Sequence, residues 1–257
     1  MKQQEIAVQA ICESLKKDTH VEAVFLKGSM GRGEHDEHSD IDMYCMVKQG
    51  EEEGFLARRL DHLRAYREVI FEDDIYIVAP QLIAVFDNLL HIDLFTVTKE
   101  SFPGHDHFTV LYDPQKNMKE FVDTQGLSLA KEEYRDDVMD IAWFLFQYRK
   151  SAARGNDIWS VRMLTNVVHH LARALLHRYT PDRAQLGLKT VSQSLPEDKT
   201  RDVLLIHEKI TPSHHEEAAR LISVLLEREY EWIHTQLQEE TQTVDFLRRM
   251  IDLHTVV

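Results

Sequence analysis

Hydrophobic residues recur with two different periods along the first part of the chain. Residues 4–17 carry apolar side chains three to four positions apart, which predicts a helix, and residues 21–28 begin a run rich in β-forming residues. Apolar and other residues alternate in residues 40–47, which predicts a strand. Residues 51–71 return to the helical period and are predicted as one amphipathic helix.

The next segment, residues 75–99, is predicted as two strands that fold back on each other at Asp87 and Asn88, a dipeptide of turn-forming type. Pro80 lies in the first of these strands and predicts that it is bulged or at an edge of the sheet, because proline cannot donate a ladder hydrogen bond. Residues 108–113 add one more short strand. This part of the chain is therefore expected to contribute to a sheet.

From about Leu127 the pattern becomes helical throughout. Glycine becomes scarce, and three segments hold the helical period for 15 residues or more: residues 131–155, 157–179 and 212–238. We therefore expect an α+β protein. Residues 1–126 should form a domain of strands flanked by helices, and residues 127–257 a helical bundle.

Composition narrows the class of protein. The 257 residues are 43% hydrophobic, as in a folded chain, and their formal net charge of −14 argues against a general nucleic-acid binder. The two cysteines, Cys12 and Cys45, are too few for a disulfide framework and are expected as buried reduced thiols. The N-terminus has no apolar signal segment, and no apolar run approaches the ~20 residues of a membrane span. We expect a cytoplasmic protein that does not interact with membranes.

The candidate chemistry lies in residues 27–47. Asp40 and Asp42 are two positions apart in a predicted strand and should project from the same face, and Asp93 lies in another predicted strand. Three carboxylates on adjacent strands would suit Mg²⁺, a hard cation that completes its shell with water and phosphate oxygens. Gly28 and Ser29 end a strand, where small side chains let backbone N–H groups and the hydroxyl approach a phosphate.

Arg32 can add a permanently charged donor to the same phosphate group. The Gly-Ser turn and the Asp-x-Asp pair would together hold a nucleoside triphosphate and its metal ions.

The stretch GSMGRGEHDEHSDIDMYCMV resembles the Gly-Ser, x-x-Arg-Gly, Ser-Asp-x-Asp signature of the polymerase-β-type nucleotidyltransferase superfamily, and Asp93 in HIDLF resembles its third carboxylate. The resemblance implies a mixed β-sheet and a Mg²⁺-dependent transferase with ATP or another nucleoside triphosphate as co-substrate. It implies the following site residues: Asp40, Asp42 and Asp93 as catalytic metal ligands, and Gly28, Ser29, Arg32 and Ser39 at the nucleotide.

The second half resembles the C-terminal domain of kanamycin-type aminoglycoside nucleotidyltransferases through its helix lengths and the LLHRY and LKTVSQS region. In that family a glutamate late in the first helix of this domain is the general base, followed by a basic residue that reaches the triphosphate. Here Gln147 occupies the place of the acid, and a glutamine cannot take a proton. Asp140, seven residues earlier on roughly the same helix face, is the expected substitute, with Asp93 as the alternative base.

The basic pair after Gln147, Arg149 and Lys150, is expected to reach the triphosphate. We expect transfer of AMP from ATP to a hydroxyl of a small molecule such as an aminoglycoside-like antibiotic, with residues 127–257 binding substrate and forming a homodimer. Two alternatives remain open. One is an antitoxin-type protein adenylyltransferase acting on a helical ribonuclease-like toxin, and the other is a binding or regulatory module without catalysis.

Overall fold

The computed structural model describes residues 2–102 and 106–255. The chain divides into two compact units, Met1–Gly126 and Leu127–Val257. The first unit contains the strands and the second is helical, so the expected α+β class is confirmed. What each unit does remains a prediction.

The first unit begins with a helix and then alternates strands with short helices. Its elements, in order, are α1 (Gln3–Leu15), β1 (Val21–Leu26), α2 (Gly28–Gly31), β2 (Ile41–Val47), α3 (Glu52–Leu56), α4 (Arg59–Leu63), β3 (Val69–Tyr76), β4 (Pro80–Phe86), β5 (His91–Val97), β6 (Thr109–Tyr112) and a 3₁₀ helix at Asn117–Thr124.

The six strands form one mixed sheet in the order β3-β4-β5-β2-β1-β6. Strands β2 and β5 pair in parallel, and the other neighbouring pairs are antiparallel. The mixed sheet expected from the resemblance is therefore confirmed. Because β2 and β5 run in the same direction, residues near the start of both strands meet at the same end of the sheet.

Each face of the sheet packs into its own apolar cluster, because successive side chains of a strand point to opposite faces. On one face α1 covers alternate residues of the central strands, such as Met43 and Leu94. On the other face Tyr44 and Phe95 stack with ring centroids 4.3 Å apart, and Phe25 and Phe102 pack beside them. This aromatic cluster supports the strands immediately behind the acidic residues at their start.

The edge strand β3 is exposed along most of its length. Ile70 and Phe71 are more than half exposed, and the acidic residues Glu72 and Asp73 follow them. The prediction of a single helix over residues 51–71 is wrong. Two short helices, α3 and α4, occupy its first part, and its last residues belong to β3.

Pro80 is the first residue of β4, which has a neighbour on each side and is not an edge strand. The edge prediction was therefore wrong, and the irregularity in the β3–β4 pairing lies between Val69 and Phe71, at the other end of β4 from Pro80. A proline at the first position of a strand is nevertheless compatible with the sheet. The predicted turn at Asp87 and Asn88 is confirmed, since β4 and β5 pair in antiparallel fashion across it.

The second unit is a bundle of helices connected by short turns. Its elements are α5 (Lys131–Ala152), α6 (Asp157–Tyr179), a 3₁₀ segment at Pro181–Lys189, α7 (Val191–Ser194), α8 (Glu197–Lys209), α9 (His215–Gln236) and α10 (Thr241–Thr255). The three predicted long helices correspond to α5, α6 and α9. Helices α8 and α10 were not predicted individually.

A buried carboxylate connects three of these helices. Glu229 of α9 accepts hydrogen bonds from Arg178 of α6 at 2.7 Å and from Lys199 of α8 at 2.8 Å. The hydroxyl of Tyr179 donates to the same carboxylate at 3.0 Å. The side chain of Glu229 is only 4% exposed, so these partners compensate for the loss of water around its charge.

Two further expectations concern the cysteines and the membrane. Cys12 and Cys45 are free and buried, as expected, and burial raises the pKa of both thiols. Among the described residues, no helix combines the length and apolar character required to cross a membrane.

Candidate active site

The parallel pairing of β2 and β5 brings four polar side chains together. Asp42 lies directly opposite Asp93 in the strand register. Asp40, immediately before β2, and His91, the first residue of β5, lie two positions before Asp42 and Asp93, where the period-two rule places them on the same face as that pair. The structure therefore brings together the three predicted carboxylates and adds a histidine that the sequence analysis did not select.

The histidine lies between two of the carboxylates. His91 Nε2 is 3.0 Å from Asp93 Oδ1, and His91 Nδ1 is 3.8 Å from Asp40 Oδ2. Ligand atoms of Asp40, His91 and Asp93 all lie within 4.8 Å of one another. The hydrogen bond to Asp93 is the main cause that raises the pKa of His91. These distances are compatible with a divalent cation bound among the three side chains.

Accessibility differs across this group. Asp93 is 14% exposed, whereas Asp40 is 48% and His91 is 38% exposed. A cleft of about 450 Å³ adjoins Asp40 and His91. An incoming ligand can therefore reach the group from the side of Asp40.

Gly28 lies against the second carboxylate of the group. Its φ of +59° is in the left-handed region, and a Cβ built there would overlap Asp42 Oδ2 and lie 2.9 Å from Asp42 Cγ. The backbone N–H of Lys27 donates to the carbonyl oxygen of Asp42 at 2.9 Å. Only glycine permits this close approach without strain, so the turn that begins at Gly28 is fixed against the acidic strand.

Ser29 follows in α2 and is half-buried, and its carbonyl oxygen accepts a hydrogen bond from the N–H of Glu34 at 2.8 Å. Arg32 ends this turn and is held by two carboxylates. Its Nε is 3.0 Å from Glu34 Oε2, and its Nη1 is 3.3 Å from Asp106 Oδ2. A phosphate approaching Arg32 would therefore compete with both acids.

Ser39 is part of the loop that precedes β2. Its Oγ donates to Asp36 Oδ1 at 3.1 Å and accepts from the Asp36 N–H at 3.0 Å. Gln4 of α1 donates to the backbone carbonyl of Ser39 at 2.9 Å. These contacts fix the loop immediately before Asp40. The contact of Ser39 with a nucleotide remains a prediction.

Lys27 is a second residue that the sequence analysis did not assign. Its side chain is buried, with Nζ 5.1 Å from the ring centre of Tyr44 and 4.9 Å from that of Phe102. Burial is the main cause that lowers its pKa, and the charges of Asp106 and Asp42 oppose this effect. Its position immediately before the Gly-Ser pair was the available sequence signal.

In the second unit, the candidate base Asp140 lies on α5 beside a histidine. Its Oδ2 is 3.5 Å from His170 Nε2, while His170 Nδ1 is 2.8 Å from the buried Asp137. Asp140 itself is 43% exposed. Arg149 and Lys150 are exposed near the C-terminal end of α5. The roles of Asp140, Arg149 and Lys150 at the reaction centre remain predictions.

Part of the sequence matches the model of a known protein family. Residues 9–86 match the family model described as Polymerase beta, Nucleotidyltransferase. The matched segment includes the Gly28–Ser29 turn, Asp40 and Asp42, whereas Asp93 follows it. None of the curated proteins compared matches the chain.

Two of the solved structures that resemble this chain each have 11% sequence identity and a TM-score of 0.41. One is an aminoglycoside 6-adenyltransferase from Bacillus subtilis, with 100% of each chain covered. The other is a nucleotidyltransferase-like protein from Exiguobacterium sibiricum 255-15, with 93% of this chain and 79% of that chain covered.

Proposed function

We propose that this protein is a nucleotidyltransferase that transfers AMP from ATP to a hydroxyl of a small molecule, because residues 9–86 match the polymerase-β-type nucleotidyltransferase model. The hydroxyl oxygen attacks the α-phosphorus, the bond from that phosphorus to the bridging oxygen breaks, and pyrophosphate leaves with the bonding electrons. The proton of the hydroxyl passes to a carboxylate of the protein.

The observation that carries this proposal is the alignment of Asp42 with Asp93 across parallel strands, next to the Gly28 turn. Two adjacent carboxylates in a partly buried site concentrate negative charge, which a cation bound there would balance. The adjacent turn offers backbone N–H groups and the Ser29 hydroxyl to an anion. A metal-bound triphosphate supplies both the cation and the anion.

The donor set fits Mg²⁺. Asp40, Asp42 and Asp93 would hold the ion through oxygen ligands, which Mg²⁺ prefers. When bound, the ion lowers the pKa of an acceptor hydroxyl and balances negative charge on phosphate oxygens.

The chain's own residues then orient the two substrates. Ser29 and Arg32 contact the departing pyrophosphate, and Arg32 exchanges its contacts with Glu34 and Asp106 for phosphate oxygens. Arg149 and Lys150 of the second unit add positive charge to the triphosphate. Asp140 takes the proton of the acceptor, because the three strand aspartates are engaged with the metal.

The net charge of the protein favours one class of acceptor molecule. A protein with a formal net charge of −14 attracts a polycation and repels an anionic polymer, which favours an aminoglycoside-like molecule with several amino groups. Modification of such a molecule would protect a cell from it. A homodimer with the second unit at its interface completes the proposal, and its location would be the cytoplasm.

The experiment supplies ATP labelled at the α-phosphate together with a panel of aminoglycosides, neutral sugars and a helical ribonuclease-like toxin protein. Wild-type protein should label an aminoglycoside and release pyrophosphate. Asp42→Asn should retain less than a few per cent of this transfer, because an amide cannot supply the charge of a metal ligand. Asp61→Asn, at a residue 74% exposed on α4, is the matched control and should keep full transfer.

Two results would refute the proposal. One is equal transfer by Asp42→Asn and wild type, which would remove the strand carboxylates from the reaction. The other is labelling of the toxin protein in place of every small molecule, which would favour the protein-modifying alternative.

A further inference from the structure

His91 occupies a position in the acidic group that its hydrogen bond to Asp93 does not fully explain. An imidazole has two ring nitrogens, and in a neutral ring one donates a proton while the other offers a lone pair. Nε2 is 3.0 Å from Asp93 Oδ1, so the tautomer with the proton on Nε2 donates to Asp93. Nδ1 then keeps its lone pair, and Asp40 Oδ2 lies 3.8 Å from it.

Two electron-pair donors that face each other at this distance leave room for a cation between them. Ligand atoms bound at about 2.1 Å to one octahedral ion are roughly 3.0 Å apart when adjacent and about 4.2 Å apart when opposite. The separation of Nδ1 and Asp40 Oδ2 falls between these values. Metal-bound histidines also commonly donate the other ring N–H to a carboxylate, which is the contact that Asp93 makes here.

We propose that His91 is a metal ligand of this site and that its nitrogen makes the site select first-row transition ions over Mg²⁺. This inference rests on the proposed function for the presence of a metal at the strand carboxylates. Asp40 and His91 Nδ1 bind the ion directly. Asp93 orients the imidazole by accepting the Nε2–H on Oδ1, and its second oxygen stays available as a ligand of the ion.

The selection follows from ligand chemistry. Mg²⁺ prefers oxygen ligands and loses its water reluctantly, whereas imidazole nitrogen suits transition ions, whose affinities rise from Mn²⁺ onward along the series. Mn²⁺ is therefore the strictest test of this selectivity, because it binds more weakly than the other ions of that series. It is also paramagnetic, so its ligands can be identified by spectroscopy.

The test measures binding to the full chain without nucleotide at pH 8. Mn²⁺ affinity comes from the electron paramagnetic resonance signal of the free ion, and Mg²⁺ affinity comes from competition. His91→Gln should weaken Mn²⁺ binding by about 10-fold or more, since loss of even an orienting partner costs 10–100-fold. Mg²⁺ affinity should change by less than about threefold, because Mg²⁺ gains little from imidazole nitrogen.

The matched control is His38→Gln, in which an imidazole 83% exposed beside the same cleft is removed. It should leave both affinities unchanged. Pulsed electron paramagnetic resonance of Mn²⁺ bound to wild type should show coupling to a ¹⁴N nucleus, and His91→Gln should abolish it. If His91 only oriented Asp93 and did not bind the ion, the spectrum of bound Mn²⁺ would show no nitrogen coupling.

The inference is overturned if wild type shows no nitrogen coupling, if the coupling persists in His91→Gln, or if both ions lose affinity equally. Its failure is distinguishable from failure of the proposed function. If the protein transfers nucleotide with Mg²⁺ but shows no nitrogen coupling, the proposed function stands and His91 is not a metal ligand. If it shows nitrogen coupling but transfers no nucleotide, His91 is a metal ligand and the proposed function is wrong.

Discussion

Replacement of Gly28 by alanine tests whether the turn and the acidic strand act as one unit. The left-handed conformation at Gly28 costs an alanine about 1–2 kcal/mol. This cost alone would lower the melting temperature by roughly 2–8 °C in a chain of this size. The added methyl group must also displace the carboxylate of Asp42, because the built Cβ lies 2.9 Å from its Cγ.

The steric displacement, and not the loss of stability, should dominate the effect on activity. A shift of about 1 Å in a group at the reaction centre can cost roughly 10²-fold in rate. We therefore expect Gly28→Ala to lose about 10²-fold in pyrophosphate release at saturating ATP while the protein remains folded at 20 °C. The two effects are separated by measuring the melting curve and the rate on the same sample.

Gly50→Ala is the matched control, because Gly50 has a φ of +85° and a Cβ there meets nothing within 4 Å. This variant carries the same kind of backbone strain beyond the other end of β2. It should melt at a lower temperature than wild type to a similar extent and keep its activity within about twofold. If Gly28→Ala keeps more than a tenth of the activity, or if Gly50→Ala loses as much, the argument from the Gly28–Asp42 contact is refuted.

Two further predictions concern the second unit. Asp140→Asn should lower turnover by about 10²–10⁴-fold with little change in nucleotide affinity; unchanged turnover together with an inactive Asp93→Asn would make Asp93 the base. Glu229→Gln should destabilise the helical unit by about 3 kcal/mol, seen as a lower urea midpoint, because it leaves the buried ammonium of Lys199 without its counter-charge. Glu197→Gln, at a side chain 91% exposed, should leave that midpoint unchanged, and equal shifts in both variants would contradict the argument.

The sequence was sufficient to predict the face that Asp40 and Asp42 share, because the two-residue period of a strand is local. The same rule applied to HIDLF would have found His91, two positions before Asp93. The direct alignment of Asp42 with Asp93 could not be predicted, since the register of parallel strands depends on contacts between segments distant in sequence.

The ion pairs of Arg32 show a second limit of prediction from the sequence. A planar cation next to glycines suggested a phosphate contact, but Asp106 comes from a segment far along the chain. Residues 51–71 show a third limit, since their helical period continued into a segment that pairs with β4 as a strand. Pairing with a neighbour decided the conformation there, and a periodic pattern carries no information about such a partner.

The exposed edge strand β3 has a consequence for assembly. An exposed edge strand such as β3, apolar at Ile70 and Phe71, offers its unpaired backbone groups to the same strand of a second copy. Antiparallel pairing centred near Asp73 would place that carboxylate opposite its own copy, with Glu72 close by, and like charges directly opposite each other destabilise a strand pair. The acidic centre of β3 therefore disfavours edge-to-edge pairing at this edge of the sheet, and the proposed homodimer should use a different surface.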